Sequence, residues 1–229
     1  MFIIGHRGAA GLAPENTLKS FEAAMEWYVD MIEFDVRLTF DGVPVLLHDG
    51  RLFRTHRITN QISQMTFAEL QEATAAQPVP SLEQVLDRYF GKVMLNIELK
   101  SRDAGLATLK LLRSRYIKTV DDWHKVMISS FKPSDLKAIR HEESRACLGL
   151  LHDDNPYIFI AYARRLNLSA VGFHKLYLSR FAMEIAKRSD LFSYVFTVNR
   201  PTSAQALTNQ GYDGVVTNYP DVLQNSTRQ

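Results

Sequence analysis

The sequence predicts an α/β protein built as a (β/α)8 barrel of the TIM type, with a small insertion after the second strand. Three observations predict it. Eight short apolar runs recur along the chain, helical patterning follows most of them, and the runs are continuously apolar, as in a parallel sheet covered by helices. A length of 229 residues suits one slightly compact barrel. A doubly wound open sheet is the rival, but no Gly-rich dinucleotide loop follows any strand and eight strands sit comfortably in a closed barrel.

The elements follow in order. The first strand is Phe2–Gly5, and the loop after it runs through Pro14-Glu15, read as a helix start, into Leu18, Phe21, Ala24 and Met25 at helical spacing. The second strand is Met31–Val36. About 44 residues separate it from a helix beginning near Ser81, too many for a simple strand-to-helix connection. Within that stretch Phe40-Asp41-Gly42 reads as a tight turn, Val43–Leu47 as an extra strand returning beside the second, and Met65–Ala73 as a short helix. Residues from about 40 to 80 are thus an insertion on the catalytic face, and 1–229 is expected to form a single barrel domain. Ser81, two residues ahead of Glu83, opens the next helix. The later strands are Val93–Ile97, Val126–Ser129, Ala146–Leu150, Ala170–Phe173, Tyr194–Val198 and Gly214–Thr217. Between them, Leu106, Leu109 and Leu112, and then Ile158, Tyr162 and Leu166, fall at helical spacing, and Lys132-Pro133-Ser134 is a proline-led helix start. The stripe Phe21, Trp27, Tyr28 reads as core packing.

Composition excludes several function classes. A formal charge of +2 with no Lys/Arg block leaves no electrostatic footprint for nucleic acid or a membrane surface. The one cysteine, Cys147, has no intrachain disulfide partner, and its apolar neighbours suggest a small buried side chain. No apolar run approaches the ~20 residues of a membrane span. The N-terminus lacks a basic flank, apolar stretch and cleavage site in series, so a soluble cytoplasmic protein is the expectation.

The polar residues concentrate at the C-terminal strand ends, where barrel enzymes build their active sites. The first strand ends in His6-Arg7, the second carries Glu33 and Asp35, and the returning hairpin ends in His48-Asp49. Later ends carry Glu98 and Lys100, Ser129-Ser130, His174, Asn199-Arg200 and Asn218. Glu33 and Asp35 stand two apart and leave the same face of their strand, with Ile32, Phe34 and Val36 on the other; Glu98 and Lys100 share a face likewise. Three converging carboxylates repel: like charges ~4 Å apart cost about 4 kcal/mol at an effective dielectric of ~20. A hard divalent cation among Glu33, Asp35 and Glu98 resolves the conflict, and oxygen donors with waters suit Mg²⁺ or Ca²⁺. Alone, an E-x-D pair is ordinarily a solvated strand end, E-x-K a salt-bridged face and His-Arg a helix-capping ornament; their joint placement at one rim makes the case. His56, His124, His141 and His152 are read as lying in loops or helices away from that rim.

The runs "HRGAAGLAPENTLKSFEAA", "MIEFDVRLTFDGVPVLLHD", "LFRT", "PSLEQVL", "NIELK", "ISSF", "FTVN" and "GYDGVVTNYPD" together resemble the glycerophosphodiester phosphodiesterase family along nearly the whole chain. The resemblance implies a barrel with a small insertion after the second strand that hydrolyses glycerophosphodiesters to glycerol 3-phosphate and an alcohol with a divalent cation. It implies His6 and His48 as the catalytic acid/base pair, Glu33, Asp35 and Glu98 as metal ligands, and Arg7 and Lys100 as phosphate-binding groups. Phe131, His174 and Asn199 are expected to line the pocket. Glu15 and Asn16 are read as structural. The chain departs from the family pattern at His56-Arg57-Ile58, where a Gly-rich turn is common, and at Asn218, where many members have Asp. The expected partner is a small glycerophosphodiester, with no nucleic acid and no stable membrane association; a homodimer is left open. Whether water attacks directly or a glycerol hydroxyl first forms a cyclic phosphate is open too. Two rivals stand beside this reading. A lysophospholipase-D-type hydrolase of lipid-bearing diesters wants an exposed apolar rim, of which the short insertion gives little sign. A phosphate-binding barrel without turnover is disfavoured by intact histidines and carboxylates.

Overall fold

The computed structural model describes residues 1–227. Strands β1 (Phe2–His6), β2 (Met31–Leu38), β4 (Met94–Leu99), β5 (Val126–Ser130), β6 (Cys147–His152), β7 (Ala170–His174), β8 (Phe192–Phe196) and β9 (Gly214–Thr217) pair in parallel, and β1 closes on β2 to complete the barrel. A short antiparallel strand, β3 (Pro44–Leu46), returns along β2 with Val36 opposite Leu46 and Leu38 opposite Pro44, which is the hairpin expected. Helices α1 (Leu18–Glu26), α4 (Leu82–Tyr89), α5 (Ala104–Leu111), α6 (Pro133–Glu142), α7 (Arg180–Arg188), α8 (Pro201–Gln210) and α9 (Pro220–Thr227) cover the outside, and the insertion adds α2 (Phe53–His56) and α3 (Phe67–Ala73).

Strand alternation divides the apolar residues between two cores. Outward-facing Ile32, Phe34, Ile97, Ile128, Val171 and Val195 are fully buried against the helices. Inward-facing Ile4, Met31, Met127, Leu151, Tyr194 and Val216 fill the lower barrel. Gly172 makes room for that filling: a Cβ there would stand 2.5 Å from Leu151 Cδ2 and 3.0 Å from the Tyr194 ring. The insertion has its own small core of Val45, Leu47, Leu52, Ile62, Met65, Leu70 and Val79. Its α3 starts on a reciprocal cap between Thr66 and Glu69, and α4 on one between Ser81 and Gln84.

Five expectations need correction. The segment around Ile158, Tyr162 and Leu166 forms only a 3-10 turn, Ile158–Ala161, followed by turns. The Arg140 guanidinium takes the carbonyls of Leu166 and Asn167, groups that a continuing helix would have had to satisfy. Helix α1 begins at Leu18 behind the cap Thr17, so Pro14-Glu15 belongs to the preceding loop. Tyr28 is not core: in a left-handed conformation just past the helix, it is 73% exposed, and Trp27 is only half-buried. His152 lies at the C-terminal end of β6, not in a loop or helix, buried edge-on against Phe173 with ring centroids 4.8 Å apart. Cys147 is half-buried.

Candidate active site

Strand register assembles the cluster. His6 stands beside Glu33 and Asp35 beside Glu98, so neighbouring strands deliver these side chains at matching heights into the upper barrel. Oxygens of Glu33, Asp35 and Glu98 all lie within 4.8 Å of one another, and all three residues are buried. Glu33 Oε1 has no hydrogen-bond partner, and Asp35 Oδ1 faces only the Lys100 ammonium, 3.4 Å away. Lys100 also forms an ion pair with Glu98.

The electrostatics express this crowding. Burial, then the charges of Asp35 and Glu98, pushes Glu33 well above the ordinary carboxylate range. Burial and Asp35 lift Glu98 to about 7 against the pull of Lys100. Burial would raise Asp35 as well, but the Arg7 guanidinium, its Nε 3.1 Å from Oδ2, and Lys100 outweigh it and hold Asp35 below its usual value. Unpaired buried carboxylate oxygens facing one another are the donor set a hard divalent cation takes, and the site fits one.

The loop after β1 adopts a tight conformation to bring Arg7 in. Arg7 and Asn16 have φ of 52° and 55°, and Gly8 has φ of 85°, where a Cβ would stand 2.4 Å from Ser20 Oγ. The Arg7 amide donates to Glu33 Oε2 at 3.0 Å, and its guanidinium donates to Glu15 Oε1 at 2.9 Å. Asn16 Nδ2 donates to Asp35 Oδ2 at 2.9 Å, while its Oδ1 accepts from the Asp35 amide at 3.2 Å. Glu15 in turn receives both Arg54 amino groups, at 2.6 and 2.8 Å, and Arg54 Nε donates to Asp49 at 2.6 Å. Asp49 accepts from His48 Nδ1 at 2.7 Å. The Glu15–Arg54–Asp49 run therefore ties the insertion to the first loop and orients His48, whose carbonyl also accepts from Arg37.

His6 Nδ1 donates to Asn218 Oδ1 at 2.5 Å, which leaves Nε2 turned toward Glu33 Oε2, 4.0 Å away. Burial and then Arg7 depress His6 to about 4, so its imidazole is neutral near pH 7. Asn199 supports the strand end that carries Asn218, its Oδ1 accepting from the Asn218 amide at 3.0 Å and from the Thr217 hydroxyl at 3.3 Å. A small cleft opens over the cluster, lined by His6, Glu33, Asn96, Glu98, Leu151 and Phe196 among others. Phe131 and His174 flank Phe196, with ring centroids 5.8 and 5.6 Å from it, and the Lys100 ammonium lies 5.4 Å from the Phe131 centroid.

Sequence reasoning passed over Asn16, Glu15, Arg54 and Asn218 as site residues. Glu15 accepts from the guanidinium groups of Arg7 and Arg54, and Asn16 holds a carboxylate. The available hint was Asn16 itself, a residue that tolerates left-handed backbone, wedged between an acid and a helix cap.

Comparison with known proteins gives a consistent result. Residues 6–222 match the glycerophosphoryl diester phosphodiesterase family. The chain is 28% identical, over 99% of its length and 98% of the relative's, to the glycerophosphodiester phosphodiesterase of Caldanaerobacter subterraneus subsp. tengcongensis. Among solved structures it is similar to an Oleispira antarctica phosphodiesterase in complex with the product sn-glycerol-3-phosphate, with a TM-score of 0.87, 26% identity, and coverage of 100% of this chain and 97% of that one. It is also similar to the Thermotoga maritima glycerophosphodiester phosphodiesterase, with a TM-score of 0.85, 25% identity, and coverage of 100% and 98%.

Proposed function

The chain belongs to the glycerophosphoryl diester phosphodiesterase family and is a glycerophosphodiester phosphodiesterase; from that premise we propose a metal-dependent hydrolysis yielding sn-glycerol 3-phosphate and an alcohol. The observation that carries the metal is the buried triad Glu33, Asp35 and Glu98, with oxygens that face one another and lack partners enough to neutralise them. These three residues would hold one Mg²⁺ or Ca²⁺, which when bound supplies Lewis-acid charge to a phosphate oxygen.

The chain's own groups do the rest. Arg7, oriented by Glu15 and Asp35, presents its planar guanidinium to the phosphate, and Lys100 adds a point charge from the next strand. His6, with Nδ1–H committed to Asn218, keeps a lone pair on Nε2 and acts as general base. His48, held by the Asp49 carboxylate through Nδ1, acts as general acid and protonates the departing alkoxide. Backbone strain in the loop after β1 is the cost of bringing Arg7 to the phosphate.

A coupled assay for glycerol 3-phosphate with glycerophosphocholine tests this directly. Turnover is expected with added cation and is lost in chelator; an undiminished rate in chelator sinks the metal reading. His6→Ala and Glu33→Ala are each expected to abolish turnover, and full activity in either removes that residue's assignment.

A further inference from the structure

Strand β2 carries a third charged residue beyond its two acids. Glu33, Asp35 and Arg37 stand two apart and share one face of the strand, so Arg37 follows the carboxylates toward the C-terminal end. Three neighbouring cations are committed to carboxylates: Arg7 to Glu15 and Asp35, Lys100 to Asp35 and Glu98, and Arg54 to Glu15 and Asp49. Arg37 is not. Its Nε donates to the His48 carbonyl at 2.7 Å, but it forms no ion pair among the described residues, and its two amino groups have no hydrogen-bond partner among them. The half-buried side chain lies against the turn after β3, with Nη1 3.7 Å from the position a Cβ on Gly50 would take. A partly buried guanidinium with an open fork calls for an anion. Its planar donors match a carboxylate bidentately, and pairing offsets the cost of taking the charge out of water.

We propose that Arg37 binds a carboxylate on the leaving alcohol, so that the site prefers glycerophosphodiesters of a hydroxy acid such as serine. The inference rests on the phosphodiesterase reading above. In that reading Arg7 and Lys100 serve the phosphate and His48 the leaving oxygen. Arg37 is held by the carbonyl of that same histidine, so an anion a few bonds beyond the leaving oxygen comes within its reach. In a seryl diester the carboxylate stands on the second carbon from that oxygen. One open fork with one charge matches one such group. The bonds are those of the hydrolysis itself: His6 takes a proton from water as its hydroxyl goes to phosphorus, the phosphorus–oxygen bond to serine breaks, and His48 protonates the leaving oxygen.

Glycerol 3-phosphate release by the full chain, with cation, is measured from glycerophosphoserine and from glycerophosphoethanolamine, which share the ammonium group and differ by the carboxylate alone. Wild-type kcat/KM is expected to favour glycerophosphoserine by about tenfold or more, the scale of a charge-assisted hydrogen bond. In Arg37→Gln the ratio of the two is expected to fall toward parity, whatever loss both substrates share through His48. Arg37→Lys, a charge without the fork, should keep part of the preference. The wild-type comparison depends on no variant folding: a ratio at or below parity, with both substrates hydrolysed, overturns the inference and leaves the phosphodiesterase reading intact. A preference that survives undiminished in Arg37→Gln also overturns it, since Arg37 then only braces the His48 carbonyl. No glycerol 3-phosphate from either substrate overturns the phosphodiesterase reading instead.

Discussion

Asn16 commits both ends of its amide to Asp35, donating to the carboxylate and accepting from the backbone. Partners of metal ligands fix ligand orientation, and losing one typically costs about 10–100-fold in metal affinity. Asn16→Ala is therefore expected to raise the cation concentration for half-maximal activity by about that factor, read from a cation titration, with a much smaller loss at saturating cation. Asp35 itself was legible in the sequence because its signal is local: two acids two apart on an apolar strand must share a face. Asn16 was not, because its partner lies 19 positions away, and the Asn218 carbonyl that orients His6 lies 212 away. His152 was misplaced for a related reason, since Asp153-Asp154-Asn155 beside it reads as loop while its ring turns back into the core. Buried with neither ring nitrogen hydrogen-bonded, it is depressed from 6.5 to about 4, by burial first. The unfolded chain then takes its proton near pH 6.5 and the folded one only near 4, so stability falls as pH drops through that window and levels below it. His152→Leu is expected to reduce that acid loss by about 2–3 kcal/mol in urea melts between these limits.

The strands were readable because parallel strands buried on both faces need apolar residues at every position, which a sequence displays plainly. Their ends were less so. Strand β8 runs Phe192–Phe196, two residues earlier than the sequence suggests, because Phe192 through Val198 is uniformly β-prone and only the pairing of Ala170 with Phe192 decides the register. The pairing of the barrel interior was equally hidden: Gly172 is a small residue in a strand until Leu151 and Tyr194 are seen to fill the space beside it. Gly172→Ala is expected to overpack that layer and destabilise the protein by about 1–3 kcal/mol, measured by denaturant unfolding. The insertion is held differently, by Arg54 joining α2 to Glu15 and Asp49. Arg54 is half-exposed, so its ion pairs contribute little to stability, but only a guanidinium fork can serve both carboxylates at once. Arg54→Lys is expected to lower kcat/KM about tenfold through a loosened His48 while leaving the melting temperature within a degree or two.

Function sets a term against stability across the fold. Closing the barrel buries Glu33, Asp35 and Glu98 within 4.8 Å of one another, with Arg7 and Lys100 too few to satisfy every oxygen. Buried like charges disfavour the folded state, and a ligand that binds only that state returns the lost stability by mass action, about 2.7 kcal/mol at a hundredfold excess over Kd. For a chain of this length that corresponds to a rise of about 5–10 °C in Tm. Replacing Glu33 by Gln keeps the shape and removes a group whose ionisation the fold opposes, so two opposite effects are expected from a single substitution. Near neutral pH and without added cation, Glu33→Gln should melt above the wild type, because the folded state no longer bears the cost of burying an ionisable carboxyl beside Asp35 and Glu98. With saturating Mg²⁺ or Ca²⁺ the order should invert, the wild type gaining the full rise and the variant little of it. Scanning calorimetry of both proteins, with chelator and with cation, separates this from a purely structural role for Glu33: a variant that melts lower than the wild type in chelator would mean that Glu33 is held by its hydrogen bond from the Arg7 amide and by packing, not poised for an ion.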